Sequence, residues 1–422
     1  MAIFFITFFV LLIIGAPISI SIGASAVLGC LSLDYPLMVI GQKMVTGIDS
    51  YLLIAIPLFI LAGNLMNAGK ITEKIFSFCK ELVGWIPGGL GHANIVASII
   101  FAGMSGSATA DAGGLGTIEM EAMTTNGYTP KFSAAVTAAS SVIGPIFPPS
   151  IPLIIYGATA SVSVAKLFMA GVVPGLLMGV ALMVLVFIFA VKYKFERHPF
   201  HFKKMIKQFC SSLLSLITPL IILAGFTTGW FTPTEASSIA VAYALVISLL
   251  VYRTMDWKTF KKCLLDSAIT SANTLFIIGT STLFTYVLVK EGISTQIANF
   301  ILSISDNPAV ILLIINIILL LLGMFMEPGA ILTLMLPVLL PIVKPLGIDL
   351  IHFGLIMVLN LMIGQVTPPF GVCLFVISDV GKVKLDALYK SILPFLVPLI
   401  AVLFLCTYCP QIVTWLPNLL IK

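Results

Sequence analysis

The chain has 422 residues, of which 59% are hydrophobic and only 9% are charged, with a formal net charge of +5. This composition leaves too little polar surface to cover a soluble domain, so a soluble enzyme or binding module is excluded. The lysines and arginines lie in links between apolar runs, which indicates membrane orientation and not nucleic-acid binding. We therefore expect a polytopic protein whose mass lies mainly in the lipid bilayer.

The first two apolar runs cover residues 2–14 and 17–33 and are divided by Gly-Ala-Pro at 15–17. They are either two spans or one kinked helix, because the first run is short for a full crossing. No basic region or cleavage site accompanies the first run. We interpret it as a retained span and not as a signal peptide.

A polar link containing Asp34, Lys43 and Asp49 leads to a span predicted at 52–67. Residues 70–85 then place charges among isoleucine and phenylalanine side chains. This spacing is typical of an amphipathic helix that lies on the membrane surface.

Residues 92–123 are too long and too polar in the middle for a single crossing. Serines, glycines and Asp111 crowd the centre, which predicts a helical hairpin that enters and leaves by one face. The next apolar run, 131–157, contains Pro148-Pro149, and a double proline cannot continue a helix. We expect a broken helix there, followed by an ordinary span at 165–191.

Basic links set the predicted orientation. The link 192–210 is rich in lysine, includes Arg197 and has only Glu196 opposing, so we place it in the cytoplasm. Spans at 213–231 and 235–252 return to a second basic link at 253–262. A span at 264–289 then leads out to a lysine-poor link, and a third basic stretch at 382–390 falls inside again.

The broken element recurs 220 residues later. A second hairpin at 309–343 precedes a second broken span at 350–378, and the same offset relates Gly144 to Gly364. A last span is predicted at 391–416. With an odd number of crossings per half, the copies 1–191 and 211–422 form an inverted-topology repeat of about 10 transmembrane helices plus two re-entrant hairpins.

Broken helices expose backbone carbonyls at membrane depth, and an alkali cation needs several oxygen ligands. Two related sodium sites are therefore predicted where the hairpin tips meet the breaks. The first would use Ser105, Gly144, Phe147 and Pro149, and the second Gly323, Phe325, Gly364, Thr367 and Pro369. No further cofactor or metal is expected.

Half-helix N-termini between the tips carry partial positive charge that suits a carboxylate substrate. The predicted substrate-binding residues are Ser107, Thr109, Asp111, Ser150 and Asn360, and Glu327 in the second tip is a gating candidate.

The other acids and the cysteines have plain structural interpretations. We expect Glu119 and Glu121 to reach the cytoplasmic interface, Glu235 to sit in a first helical turn, and Asp379 to end a span. Cys406 and Cys409, with CxxC spacing in an apolar setting, are expected to pack and not to bind metal.

Several motifs resemble the DctM-like large membrane subunit of tripartite ATP-independent periplasmic (TRAP) transporters, in the ion transporter superfamily. The likeness runs nearly end to end and rests on residues 57–63 (PLFILAG), Ser105-Gly106-Ser107, Asn126-Gly127-Tyr128, Pro148-Pro149-Ser150 and Pro368-Pro369-Phe370.

The resemblance implies a sodium-coupled importer of organic acids such as C4-dicarboxylates or sialic acid, located in the bacterial inner membrane and working by an elevator mechanism. It also implies a small four-helix membrane subunit and a periplasmic substrate-binding protein as partners, and horizontal arm helices at about 70–85 and 290–305. The chain, ending at Lys422, resembles the form in which the small subunit is separate. In the second hairpin Glu327-Pro328 replaces the serine-rich tip of the first.

The sequence also allows two alternatives to an organic-acid importer. A stand-alone ion and carboxylate antiporter of similar architecture would need no binding protein. The GxSG sequence at 103–106 also matches a rhomboid-type intramembrane serine protease, which would need His352 as its base. We place His352 at an outer helix end and the Ser105 hairpin on the inner side, which argues against the protease.

Overall fold

The protein is entirely helical in a computed structural model that describes residues 1–195 and 199–421. These residues form 21 α-helices, one 3-10 turn and one π-helical segment, and no strand occurs among them. The all-α prediction is confirmed. The orientation residues Glu196 and Arg197 lie outside the described residues, as does Lys422.

The N-terminal residues form two antiparallel helices, α1 (Ala2–Ile13) and α2 (Ile18–Ser32). Gly15 makes the turn with φ +84°, and Gly29 lets α2 approach the ring of Phe4. The kinked-helix alternative is therefore wrong. The polar link that we expected next is also partly wrong, because it contains helix α3 (Leu37–Ile48), which packs against the long helix at Trp257–Lys290.

Helix α4 (Ala55–Ala68) follows a 3-10 turn at Tyr51–Ile54, and helix α5 (Ile71–Val83) matches the predicted amphipathic segment. Ile71, Ile75 and Cys79 form the buried stripe of α5, while Glu73 is exposed. The apolar residues recur at intervals of four, so one face packs and the other stays polar.

The regions predicted as the first hairpin and the first broken helix each consist of shorter helices. The hairpin consists of α6 (Gly89–Ser105), α7 (Ala108–Gly113) and α8 (Leu115–Thr125). The broken helix consists of α9 (Pro130–Ser141) and α10 (Ile151–Ala160), and the long helix α11 (Val164–Tyr193) follows.

Three long helices lead to the second copy. They are α12 (Phe202–Thr228), α13 (Pro233–Val246, continued by a π-helical segment at Ile247–Val251) and α14 (Trp257–Lys290). Helix α12 begins well before the predicted span at 213, so part of the basic link is helical.

The second copy repeats the order of the first. Helix α15 (Ile293–Ile304) corresponds to α5, the hairpin is α16 (Pro308–Phe325) and α17 (Pro328–Val343), and the broken helix is α18 (Leu350–Gly364) and α19 (Val372–Gly381). The predicted last span is in fact two helices, α20 (Leu385–Tyr408) and α21 (Pro410–Leu420). Pro410 lacks the amide hydrogen that would continue α20, and it begins α21 instead.

The two repeats interlock. Helix α7 of the first hairpin packs against α19, and α17 of the second hairpin packs against α10. Among the described residues, seven helices are long and apolar enough to cross a membrane alone. Each broken helix supplies one further crossing from two shorter pieces. The interlocking brings both tips and both breaks together in one region of the molecule.

Candidate substrate and cation site

A cavity of about 590 Å³ lies where the two hairpin tips meet the two breaks. Residues of both repeats line it, together with the flanking helices α4 and α14. The first residues of α10, α17 and α19, which are Ile151, Pro328 and Val372, all lie on its wall. Three helix N-termini therefore border one cavity, where the positive ends of their dipoles favour negative charge.

Four of the predicted site residues line this cavity, namely Ser105, Ser107, Thr109 and Glu327. The Ser107 hydroxyl caps α7 by accepting a hydrogen bond from the amide of Ala110 at 3.4 Å. It also lies 3.1 Å from the Thr109 hydroxyl. The cap fixes this pair of hydroxyls at the tip of the first hairpin.

The first tip is held directly on the first break. The Ile151 amide donates a hydrogen bond to the Gly106 carbonyl at 3.4 Å. Gly106 has φ +60°, and a Cβ there would lie 2.8 Å from the carbonyl oxygen of Pro149. Only glycine permits both this conformation and this approach.

Asp111 does not line the cavity, although we expected it to contact substrate. It is buried behind the tip, against the first break: a Cβ on Gly144 would lie 3.7 Å from Asp111 Oδ2 and 3.8 Å from the carbonyl oxygen of Ser107. Neither carboxylate oxygen has a hydrogen bond of good geometry among the described residues, although the buried Ser98 hydroxyl lies near enough to interact with this carboxyl. A buried charge without a partner is costly, so this carboxylate requires a proton or a bound cation.

Glu119 is a clear correction to the sequence analysis. We expected it at the cytoplasmic interface with Glu121, but it is fully buried, and both its carboxylate oxygens lack partners within the described chain. It lies within electrostatic reach of Asp111 and Cys79. Glu121, two residues later, is exposed as expected. On one helix, a separation of two residues points side chains to different faces.

The two predicted cation sites differ in their free carbonyl groups. Within the described residues, the carbonyls of Gly144, Phe147 and Pro149 at the first break accept no hydrogen bond. At the second break, the Gly364 carbonyl accepts from the Thr367 amide at 3.0 Å, and the Pro369 carbonyl accepts from the Tyr389 hydroxyl. The first break thus offers more free ligands, and a carboxylate beside them.

Two helix backbones pack closely at the second site. The backbones of Gly323 and Gly364 meet where α16 crosses α18, and a Cβ on Gly364 would lie 2.7 Å from the Gly323 Cα. The ring of Phe325 packs against that of Phe370 at 4.9 Å, and both rings are about half exposed. The predicted residues are therefore brought together, but they lie beside the cavity and not on its wall.

Ser150 and Asn360, which we expected to bind substrate, are engaged in the fold. The Ser150 hydroxyl donates to the Pro145 carbonyl and accepts from the Leu153 amide, so it caps α10. The side-chain amide of Asn360 donates to Asn316 at 2.9 Å and 3.0 Å, joining α18 to α16. Neither side chain lines the cavity.

Sequence reasoning missed a set of polar side chains that flank the cavity from other helices. They are Asn64 and Asn67 on α4, Thr270 and Thr274 on α14, and Gln365 in the second break. A signal was present, because polar groups three or four residues apart within an apolar span usually face the protein interior.

The described residues on the cavity wall include no lysine, arginine or histidine, and Glu327 is the one ionisable side chain among them. His352, the base required by the protease alternative, interacts instead with the Cys406 carbonyl at 2.8 Å.

Two acids outside the cavity have the structural roles that we expected. Glu235 lies in the first turn of α13 and completes a capping box with Thr232, and Asp379 lies near the end of α19 and pairs with Lys382 at 3.3 Å.

Comparison with known proteins identifies the family. Residues 5–412 match the model of the tripartite ATP-independent periplasmic transporter, DctM component. The sialic acid TRAP transporter large permease protein SiaM of Vibrio cholerae is 45% identical over 90% of this chain and 89% of its own length. The C4-dicarboxylate TRAP transporter large permease protein DctM of Pseudomonas aeruginosa is 40% identical, with 88% of this chain and 87% of its own length covered.

A third relative is the sialic acid TRAP transporter permease protein SiaT of Haemophilus influenzae, 45% identical over 90% of this chain, which spans 62% of that permease. Among solved structures, the YdaH transporter of Alcanivorax borkumensis has the same fold, with a TM-score of 0.68 over 90% of both chains at 12% identity. This chain therefore belongs to the DctM component family of tripartite ATP-independent periplasmic transporters, and it is a multi-pass inner-membrane permease and not an enzyme.

Proposed function

We propose that this permease moves an organic acid across the membrane together with sodium ions. The observation that carries the proposal is the central cavity, where the N-termini of α10, α17 and α19 converge on a space without a fixed cationic side chain. The names of its relatives supply the candidate cargo, which is sialic acid or a C4-dicarboxylate.

Charge balance supports cation coupling. A carboxylate that leaves water for this cavity gains favourable interactions with the helix N-termini and with the Ser107 and Thr109 hydroxyls. It meets no full positive charge on the described residues of the wall. Glu327 adds a negative charge to the same wall. Bound cations would offset both carboxylates, so the acid would bind well only after the cations.

The first break is the better supported cation site. The carbonyls of Gly144, Phe147 and Pro149 are free within the described chain, and the buried Asp111 carboxylate, which needs a neutralising partner, lies close to Gly144. We assign the first sodium ion to this group and to Ser105. A second ion would use Gly323, Phe325, Gly364, Thr367 and Pro369, where fewer carbonyls are free.

We further propose an elevator movement. The hairpins and broken helices of both repeats pack on each other as one unit through α7 with α19 and α10 with α17. Helices α5 and α15 connect this unit to α4 and α14. At the boundary, Gly63 of α4 faces the backbone of Ser105, 3.4 Å from the position of a Cβ. Small residues at such a boundary allow close backbone contact without interlocking side chains.

The proposal includes two partners, a small four-helix membrane subunit and a periplasmic substrate-binding protein, because the family is tripartite. The test is reconstitution of the permease with both partners in vesicles, followed by uptake of labelled sialic acid and C4-dicarboxylates with and without an inward sodium gradient. We expect uptake that needs sodium and the binding protein.

Full-rate uptake without sodium would contradict the coupling. Uptake without the binding protein would favour the stand-alone antiporter. Glu327→Gln separates the cargo classes, because removing its negative charge should improve uptake of a dianion more than that of a monoanion. Equal effects on both classes would remove Glu327 from the substrate site.

A further inference from the structure

A second cavity, of about 910 Å³, lies away from the transport site, where the loop after α8 meets the ends of α9, α11 and α20. Three lysines, Lys131, Lys194 and Lys390, stand on its wall and are exposed. No described residue on this wall is acidic, and none of the three lysines forms an ion pair within the described chain. Counting only the described part of the chain, the cavity wall carries three positive charges and no negative one.

The floor of this cavity is aromatic. The Phe132 ring packs against Phe195 at 5.0 Å and against Phe395 at 5.9 Å, and Phe189 and Tyr193 stack beside them at 5.9 Å. Hydroxyl groups of Thr129 and Ser391 complete the rim. A basic rim over an aromatic floor suits a ligand with an anionic head and an apolar body.

An exposed apolar strip continues from the cavity along two helices. Ile188 and Val191 on α11 and Val397 on α20 are each more than half exposed. In a membrane this strip faces acyl chains, and the three lysines fall on the side that the basic links predict to be cytoplasmic. An ion from the aqueous phase would use only the rim, whereas a lipid would use the rim, the floor and the strip.

We propose that this cavity binds the phosphate headgroup of an anionic phospholipid of the cytoplasmic leaflet, with its acyl chains along α11 and α20. Basic pockets between transmembrane helices on this side are known to suit anionic headgroups. The bound lipid would join the first repeat, through α9 and α11, to the second repeat, through α20.

The experiment compares the purified full chain with a variant carrying Lys131→Gln, Lys194→Gln and Lys390→Gln. The control carries Lys203→Gln, Lys204→Gln and Lys207→Gln, which removes the same charge from exposed positions on α12. Native mass spectrometry and thermal melts are recorded with phosphatidylglycerol, with phosphatidylcholine of the same acyl chains, and with inorganic phosphate.

We expect phosphatidylglycerol to bind the wild type and the control and to raise their melting midpoints, while the cavity variant binds roughly 100-fold more weakly. Each lysine contributes about a fivefold factor near an anionic lipid surface. A second variant, Ser391→Asp, places a negative charge on the rim and should weaken the same binding without removing a lysine.

Equal phosphatidylglycerol binding by the cavity variant and the control would overturn the proposal. A preference for phosphatidylcholine would do the same. Equal stabilisation by inorganic phosphate would overturn the lipid as occupant, because the floor and strip would then contribute nothing.

Discussion

The close contact between Gly323 and Gly364 permits a sharp test of how packing supports the second cation site. Replacing Gly364 by alanine adds a Cβ 2.7 Å from the Cα and carbonyl carbon of Gly323 and 3.0 Å from its carbonyl oxygen. Carbon atoms in proteins pack at about 3.5–4.0 Å. Because the neighbours are backbone atoms, α16 and α18 must separate by about 1 Å.

Two effects follow from this separation. Overpacking of this kind costs about 1–3 kcal/mol of stability. The carbonyls predicted to bind the second sodium ion also move apart, since Gly364 begins the break. A cation at 100 times its dissociation constant stabilises the folded protein by about 2.7 kcal/mol. We expect Gly364→Ala to lose much of any such stabilisation in addition to the packing cost.

The measurement is a thermal melt of the purified protein in sodium chloride and in choline chloride. The matched control is Gly113→Ala, since a Cβ there would lie 3.6 Å from a Val376 methyl group, an ordinary contact. The control should melt like the wild type in both salts. If Gly364→Ala kept the wild-type midpoint and the full sodium shift, the packing argument would be refuted.

Three further predictions test individual residues. Asp111→Asn removes a buried carboxylate without a partner. The melting midpoint in choline chloride should therefore not fall, while the increase of the midpoint in sodium chloride should be lost. A normal increase in sodium chloride would exclude Asp111 from the cation site. Asn360→Ala leaves the side-chain oxygen of Asn316 without its donor and should cost about 1–3 kcal/mol of stability, with the affinity for the acid, measured by calorimetry, unchanged. Weaker acid binding at full stability would return Asn360 to the substrate site. Asp256, before α14, accepts hydrogen bonds from Thr259 that hold the pKa of its carboxyl below the usual value. The loss of stability caused by Asp256→Ala should therefore be present above about pH 4 and shrink as the pH falls through the lowered pKa. A loss of stability that does not depend on pH would contradict this cause.

The sequence was sufficient for elements that depend on local chemistry. Proline cannot continue a helix, and an apolar run has to lie in the bilayer, so the double-proline breaks and several spans agree with their helices to within a few residues. Helix α12 is an exception, since it begins at Phe202 and not at 213. The second copy was visible because Gly364 and Pro368-Pro369 repeat an earlier pattern at one offset. Failures at this level had local causes too. Helix α3 was missed because scattered charges made its segment resemble a link. Pro410 lies inside a predicted single span, but in the structure it begins a separate helix, α21.

The sequence did not predict which way the side chains of the site point, because their direction depends on how the helices are rotated against one another. Glu119 and Glu121 look alike in the sequence, but packing of α8 buries the first and exposes the second. Asn360 was a reasonable substrate ligand until the crossing of α16 and α18 gave its amide another partner. Asn64 and Thr270 reach the cavity only because two distant spans close around it.

By itself, the sequence determined that this is a repeated, all-helical membrane protein with two broken spans, since composition and the backbone chemistry of glycine and proline act within a few residues. Tertiary structure alone decided which polar groups share the central cavity and which carboxylates are buried behind it. It also decided which lysines surround the second cavity. Those relations join residues far apart in the chain, and only the packing of helices against each other fixes them.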